Sequence, residues 1–222
     1  MTWLLALTSL LQGGTALTAA MVARRRAEYR PIAVFLAVVA VANLAKMAIR
    51  LGVLVPAREA GAVPFTGWVR VASHVESALF LLWMAGLAAL ALAVYLGRRP
   101  WPVAVGWAAA VALLALVFPH ARGDELRRLY LAAELAALVV ALGSMVQWLI
   151  TRREPPRLPH VIVAILVAVD LAGLVVGPWR WGLFAGWNLA QVAYCVMYAS
   201  MIALQLAVVW LMPRGGTGPG EP

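Results

Sequence analysis

Six ionisable residues of this chain stand inside long apolar runs: Lys46, Arg50, His74, Glu76, Glu134 and Asp170. A charged side chain near the centre of a bilayer costs at least about 2.5–3.5 kcal/mol, and such residues commonly mark ion pathways, proton relays or ligand counter-ions. Three of the nine acidic residues, Glu76, Glu134 and Asp170, occupy this costly setting. Carboxylates with a histidine can pass protons, because imidazole titrates near neutrality. They can also hold a cation or a small polar solute, or serve as acid and base on a lipid-soluble substrate.

Spacing groups these residues further. Asn43, Lys46 and Arg50 follow an i, i+3, i+7 pattern and share one helical face. Asn188, Gln191 and Tyr194 repeat at i, i+3, i+6, with Tyr198 and Gln205 continuing the stripe. Tyr130 and Glu134 are i, i+4 neighbours with Arg127 on the same face, whereas His74 and Glu76 are two residues apart and must point in different directions.

Other chemistries lack their residues. Ser73 has only His74 beside it, so no serine–histidine–acid set is evident. His74, His120 and His160 are too few and too scattered for a zinc or haem site, and the single cysteine, Cys195, supports neither a disulfide nor a thiolate cluster. No cofactor or metal is expected.

The elements that position these groups must be membrane helices. Of 222 residues, 64% are apolar and 12% charged, with a mean hydropathy of +0.90; soluble domains carry about 25% charged residues. Seven apolar segments can be marked, approximately 3–23, 31–55, 68–96, 102–118, 126–150, 159–177 and 187–211. Each is near the roughly 20 residues that a spanning helix needs, and helices are required because lipid offers the backbone no hydrogen-bond partners. The expected fold is an all-α integral membrane protein, a single bundle of about seven spans over residues 1–212 with a disordered Gly/Pro-rich cytoplasmic tail over 213–222. The first charge, Arg24, follows the first apolar run, so that run reads as a permanent span and not as a secretory signal.

Arginine placement orients the bundle. Ten arginines, in the clusters around Arg24, Arg98, Arg152 and Arg214, fall in one set of connections and six in the other. The positive-inside rule then sets the amino terminus outside and the carboxyl terminus in the cytoplasm, and the expected location is a bacterial-type cytoplasmic membrane.

Counting about 1.5 Å per residue from the outer ends places Lys46, Arg50, His74, Glu76, Glu134 and Asp170 roughly 8–14 Å deep. Asn188, Gln191 and Tyr194 enter from the same side. Nine residues of five spans therefore form one expected cavity in the outer half, with Lys46 or Arg50 expected to face Glu76.

The length and span count are similar to those of microbial rhodopsins, but their retinal-linking lysine lies on the seventh helix, and the only lysine here is Lys46 on the second. The expected function is binding of a proton, ion or small solute, for transport or sensing. The alternatives are a membrane-embedded enzyme acting on a lipid or isoprenoid, and a structural or assembly subunit of a membrane complex. Expected partners are membrane lipids and a membrane or cytoplasmic protein. The net charge of +9 lies in short clusters between apolar runs, where it meets anionic headgroups, so nucleic acid is not expected.

Overall fold

A computed structural model describes residues 2–63, 65–117, 122–151, 155–179, 199–207 and 209–210. All regular structure among them is helical. The helices are α1 (Thr2–Ala23), α2 (Arg30–Ile49), α3 (Val55–Glu59), α4 (Arg70–Leu96), α5 (Trp101–Val117), α6 (Gly123–Thr151) and α7 (Leu158–Trp179); residues 199–207 and 209–210 are also helical. Three helical stretches are long and apolar enough to cross a membrane: Ala27–Ala57, Gly67–Leu96 and Arg128–Thr151. Leu10–Ala23, Trp101–Val117 and Leu158–Ala172 are apolar but shorter. The expected seventh segment lies largely outside the described residues, as do the tail, Asn188, Gln191 and Tyr194.

Prolines open the helices as their chemistry requires. Pro31, Pro102 and Pro159 are each the second residue of α2, α5 and α7, where a backbone N–H would have no helical partner anyway. At the other end of α4, Gly97 takes the left-handed conformation at φ 66°, and its N–H and that of Arg98 reach back to Ala93 and Leu92. That closure satisfies the last carbonyls of the helix.

A single π turn, Arg50–Leu54, joins α2 to α3. The Val55 N–H bonds to the carbonyl of Arg50, five residues back. Pro56 follows immediately; its ring has no N–H and would crowd the carbonyl of Gly52 in a regular helix. The wider turn gives that ring room, and it begins at an arginine of the expected site.

The core is built around α4. Every residue from Trp83 to Ala91 is buried, as in a helix enclosed on all sides. α2, α5, α6 and α7 all pack against α4. α1 lies against α2 through small residues: Ala16, Ala19, Ala20 and Ala23 are buried, and a Cβ on Gly13 would stand 3.1 Å from Leu44. Such residues let membrane helices approach closely where lipid removes the hydrophobic drive to associate.

Side-chain pairings give the helix directions. Arg50 meets Glu76 while Lys46 meets Phe80 and Trp83, so α2 and α4 are antiparallel. His74 meets Tyr130 and Tyr95 meets Trp148, so α4 and α6 are parallel. Tyr95 also bonds to His160 while Trp83 faces Asp170, so α7 runs antiparallel to α4. One end of the bundle therefore carries Glu76 and His74, the other His160. Toward the His160 end the described core is apolar, with Ile32, Phe35, Leu87, Leu90, Val163 and Leu166 packed in one cluster. The outer faces of α5 and α6 leave Val103, Leu113, Val117 and Val139 exposed, as lipid-facing helices do.

Candidate functional site

The expected single layer resolves into two tiers on α4. The first tier holds Arg50, Glu76, His74 and Tyr130. Arg50 Nε donates to Glu76 Oε1, and both side chains are about one-fifth exposed (20% and 23%). Lys46 lies on the same facing surfaces of α2 and α4, over the rings of Phe80 and Trp83. α2 and α4 pass one another in a register that sets residue 50 opposite 76, which carries Lys46 a full turn deeper, to residues 80–83.

On the opposite side of α4, His74 is only 2% exposed and its Nδ1 lies 3.1 Å from the Tyr130 hydroxyl. Its Nε2 is buried with no hydrogen-bond partner among the described residues. His74 and Glu76 thus serve different neighbours, as their spacing on one helix demands.

Phe65, in the connection before α4, covers this histidine. Its ring meets His74 edge-on at 5.3 Å between centroids and stacks on Tyr130 at 6.3 Å. Phe65 itself has φ 62°, a left-handed conformation that bulky L-residues rarely adopt. The conformation is held by the Phe65 N–H, which donates to Ser73 Oγ at 3.1 Å. Ser73 in turn donates its one proton to the Val69 carbonyl at 3.0 Å. Its hydroxyl is therefore committed to backbone and forms no relay with the adjacent His74.

The deeper tier holds Lys46, Phe80, Trp83, Asp170 and Asn43. Lys46 is 2% exposed; its ammonium lies 4.9 Å from the Phe80 ring centroid and 5.6 Å from that of Trp83. A cation held over two ring faces in an apolar setting gains from the ring quadrupoles, by up to about 2 kcal/mol when desolvated. Asp170, 7% exposed, comes from α7 and feels both the Lys46 ammonium and the Trp83 indole N–H. The Trp83 indole N–H is a neighbour of the carboxylate, but neither it nor Asp170 Oδ2 has a hydrogen-bond partner among the described residues. Asn43 donates from Nδ2 to the Val39 carbonyl at 2.9 Å, while its buried Oδ1 likewise has no partner among them.

Glu134 is half-buried one turn beyond Tyr130 on α6. Asn188, Gln191 and Tyr194 fall outside the described residues. Among the described residues of the expected site, Arg50 meets Glu76 in the first tier and Lys46 neighbours Asp170 in the second.

Trp83 and Phe80 are site residues that reading the sequence passed over. Both appear there as ordinary apolar residues of the third run; the available signal was Trp83 standing far from either end of its span, where an interfacial tryptophan would not be. Gln12 was missed too. It is 0% exposed, and neither amide atom has a hydrogen-bond partner among the described residues.

The second charged end is separate. His160 stacks on Trp148 at 4.6 Å, its carbonyl accepts from Tyr95 Oη at 2.6 Å, and its Nδ1 accepts the Arg157 N–H at 3.2 Å. With Glu28, Pro31, Arg157 and Pro159 it borders a shallow cleft of about 160 Å³. Among the described residues, no three His, Cys, Asp or Glu side chains are grouped as metal ligands would be.

The deep tier can bind or release a proton: when the carboxyl of Asp170 is protonated, the Lys46 ammonium is left to the faces of Phe80 and Trp83, and when the proton leaves, the ammonium pairs with the carboxylate. Its unpartnered oxygens and N–H can instead hold one small polar molecule. No family model, curated protein or solved structure matches this chain.

Proposed function

We propose that the chain is a polytopic membrane protein that takes up a proton or a small polar solute at the Lys46–Asp170 tier, for transport or sensing. Seven helical spans, with the Glu76 end outside and the His160 end in the cytoplasm, fit the helix directions and the arginine clusters. The single observation that carries the reading is the Asp170 carboxylate, buried beside the Lys46 ammonium with an oxygen unpartnered among the described residues. Buried polar groups in folded proteins are nearly always hydrogen-bonded. A carboxylate kept in this state inside an apolar helix bundle fits a group that changes its occupant during work.

A proton is the occupant favoured by the sealed, small setting and by the lysine, which compensates the carboxylate when the proton leaves. The apolar core toward the His160 end supports access from the Glu76 side. Sensing needs no more than that; transport requires a second conformation that opens the other side.

Infrared difference spectroscopy on a pH step tests the reading directly. Acidifying the purified protein should raise a carboxylic-acid C=O band that Asp170→Asn removes while the protein remains folded. A spectrum with no band dependent on Asp170, anywhere within the pH range of folded protein, would leave ion pairing as the whole role of the tier. Proteoliposomes with an internal pH dye then separate transport from sensing: flux that depends on Asp170 is transport, and a protonating Asp170 without flux is sensing.

A further inference from the structure

Apart from the two tiers, a third set of buried polar groups lies between α1 and the carboxyl-terminal helical residues 199–207. Thr15 Oγ1 donates to Gln205 Oε1 at 2.5 Å, across 190 residues of sequence. Gln205 is 1% exposed, and its Nε2 has no partner among the described residues. Gln12 stands three residues before Thr15, hence on the same face of α1 and about 5–6 Å away between Cβ atoms. Its Oε1 and Nε2 both lack partners among the described residues. Three amide atoms unpartnered among the described residues, two donors and one acceptor, thus belong to two residues that Thr15 links within one turn of α1.

With two donors against one acceptor, these groups do not suit a cation, and neutral amides do not carry a proton of their own. An uncharged side-chain amide left unsatisfied in an apolar interior still costs on the order of 1–3 kcal/mol. The ligand that suits two donors and an acceptor in so small a space is water, which in protein interiors makes about three hydrogen bonds to polar groups otherwise unsatisfied.

We propose that Gln12, Thr15 and Gln205 enclose an internal water site. The water accepts from Nε2 of Gln12 and Nε2 of Gln205 and donates to Gln12 Oε1. The site is level with Asn43: Gly13, beside Gln12, packs against Leu44 and the Ala40 carbonyl of α2, which bracket Asn43. Asn43 Oδ1 is therefore the next acceptor at that depth, and it belongs to the tier of Lys46 and Asp170. The site extends the polar interior past that tier toward α1, and it stands whether or not Asp170 takes a proton.

Met201 reports on it. Met201 is 1% exposed and precedes Gln205 by one turn on the same helical face. Pulsed X-ray radiolysis generates hydroxyl radicals from water in place, and thioether sulfur next to a bound water is oxidised readily. In the intact protein Met201 should be modified despite its burial, with exposed Met21 as the positive control. In Gln12→Leu, Met201 modification should fall several-fold while Met21 is unchanged. In Asp170→Asn it should persist, which separates this site from the proton reading. An unmodified Met201 in the intact protein overturns the proposal, even if Gln12→Leu fails to fold. Equal modification with and without Gln12 overturns it as well, because the radicals would then come from elsewhere.

Discussion

The ammonium of Lys46 lies 4.9 Å above the ring of Phe80, one turn deeper than Glu76, and shares its tier with Asp170 from a third helix. Three helices, α2, α4 and α7, are therefore joined through one buried charge set, whereas the Arg50–Glu76 pair ties α4 to the turn after α2, nearer the end of the bundle.

This arrangement makes the stability of the bundle depend on Lys46 and Asp170 together. Removing one partner of a buried charge pair costs about 3–5 kcal/mol, while replacing both with apolar residues is often close to neutral. Lys46→Met and Asp170→Leu should each lower the detergent melting temperature sharply, and the double variant should recover most of the loss. Glu76→Gln should cost less, since its pair with Arg50 is about one-fifth exposed and nearer the end of the bundle, where the charge left on Arg50 is more readily solvated than Lys46 would be. Additive losses in the double variant would show that the two charges are not coupled.

Much of the architecture was legible in the sequence. The apolar runs at 31–55, 68–96 and 126–150 correspond to the three stretches long enough to cross a membrane, and prolines mark the starts of α2, α5 and α7. The charged residues were legible too, because an ionisable group in an apolar run is conspicuous. Their partners were less so. Counting depth from span ends carries an error of a turn, and one turn decides whether Lys46 or Arg50 meets Glu76. Gln12 escaped notice because a neutral amide lacks the insertion cost that makes a charge stand out, although Gln12, Thr15 and Gln205 are the kind of polar residues that join membrane helices. The conformation of Phe65 runs against the preferences of its residue type, so no local pattern foretells it.

Phe65 should govern access to His74. Its ring covers the histidine from a left-handed backbone position held by Ser73. In Phe65→Ala, diethyl pyrocarbonate should modify His74 several-fold faster than in the intact protein, as read by peptide mass spectrometry. Ser73→Ala should raise the rate less, by freeing the loop while keeping the ring. An unchanged rate in Phe65→Ala would mean that other groups shield the imidazole.

Orientation is testable from the connections. In a background carrying Cys195→Ala, a cysteine at Ala60, which is exposed in the connection before α4, should react with an impermeant maleimide on intact cells. A reporter fused after residue 212 should be active only in the cytoplasm. Reaction at position 60 only after permeabilisation would invert the bundle, placing the deep tier nearer the cytoplasmic face.

The apolar packing around Phe35, Leu87, Leu90 and Leu166 also shapes the electric field in an energised membrane. Voltage falls where dielectric response is weakest, so most of the drop would lie across this insulating plug and little across the polar tiers. A charge moving across the full potential exchanges about 2.3 kcal/mol per 100 mV. A proton reaching Asp170 from the Glu76 end would exchange only a small share of that. Its binding would then follow external acidity with little dependence on voltage, and any onward step through the plug would carry nearly all the electrical work.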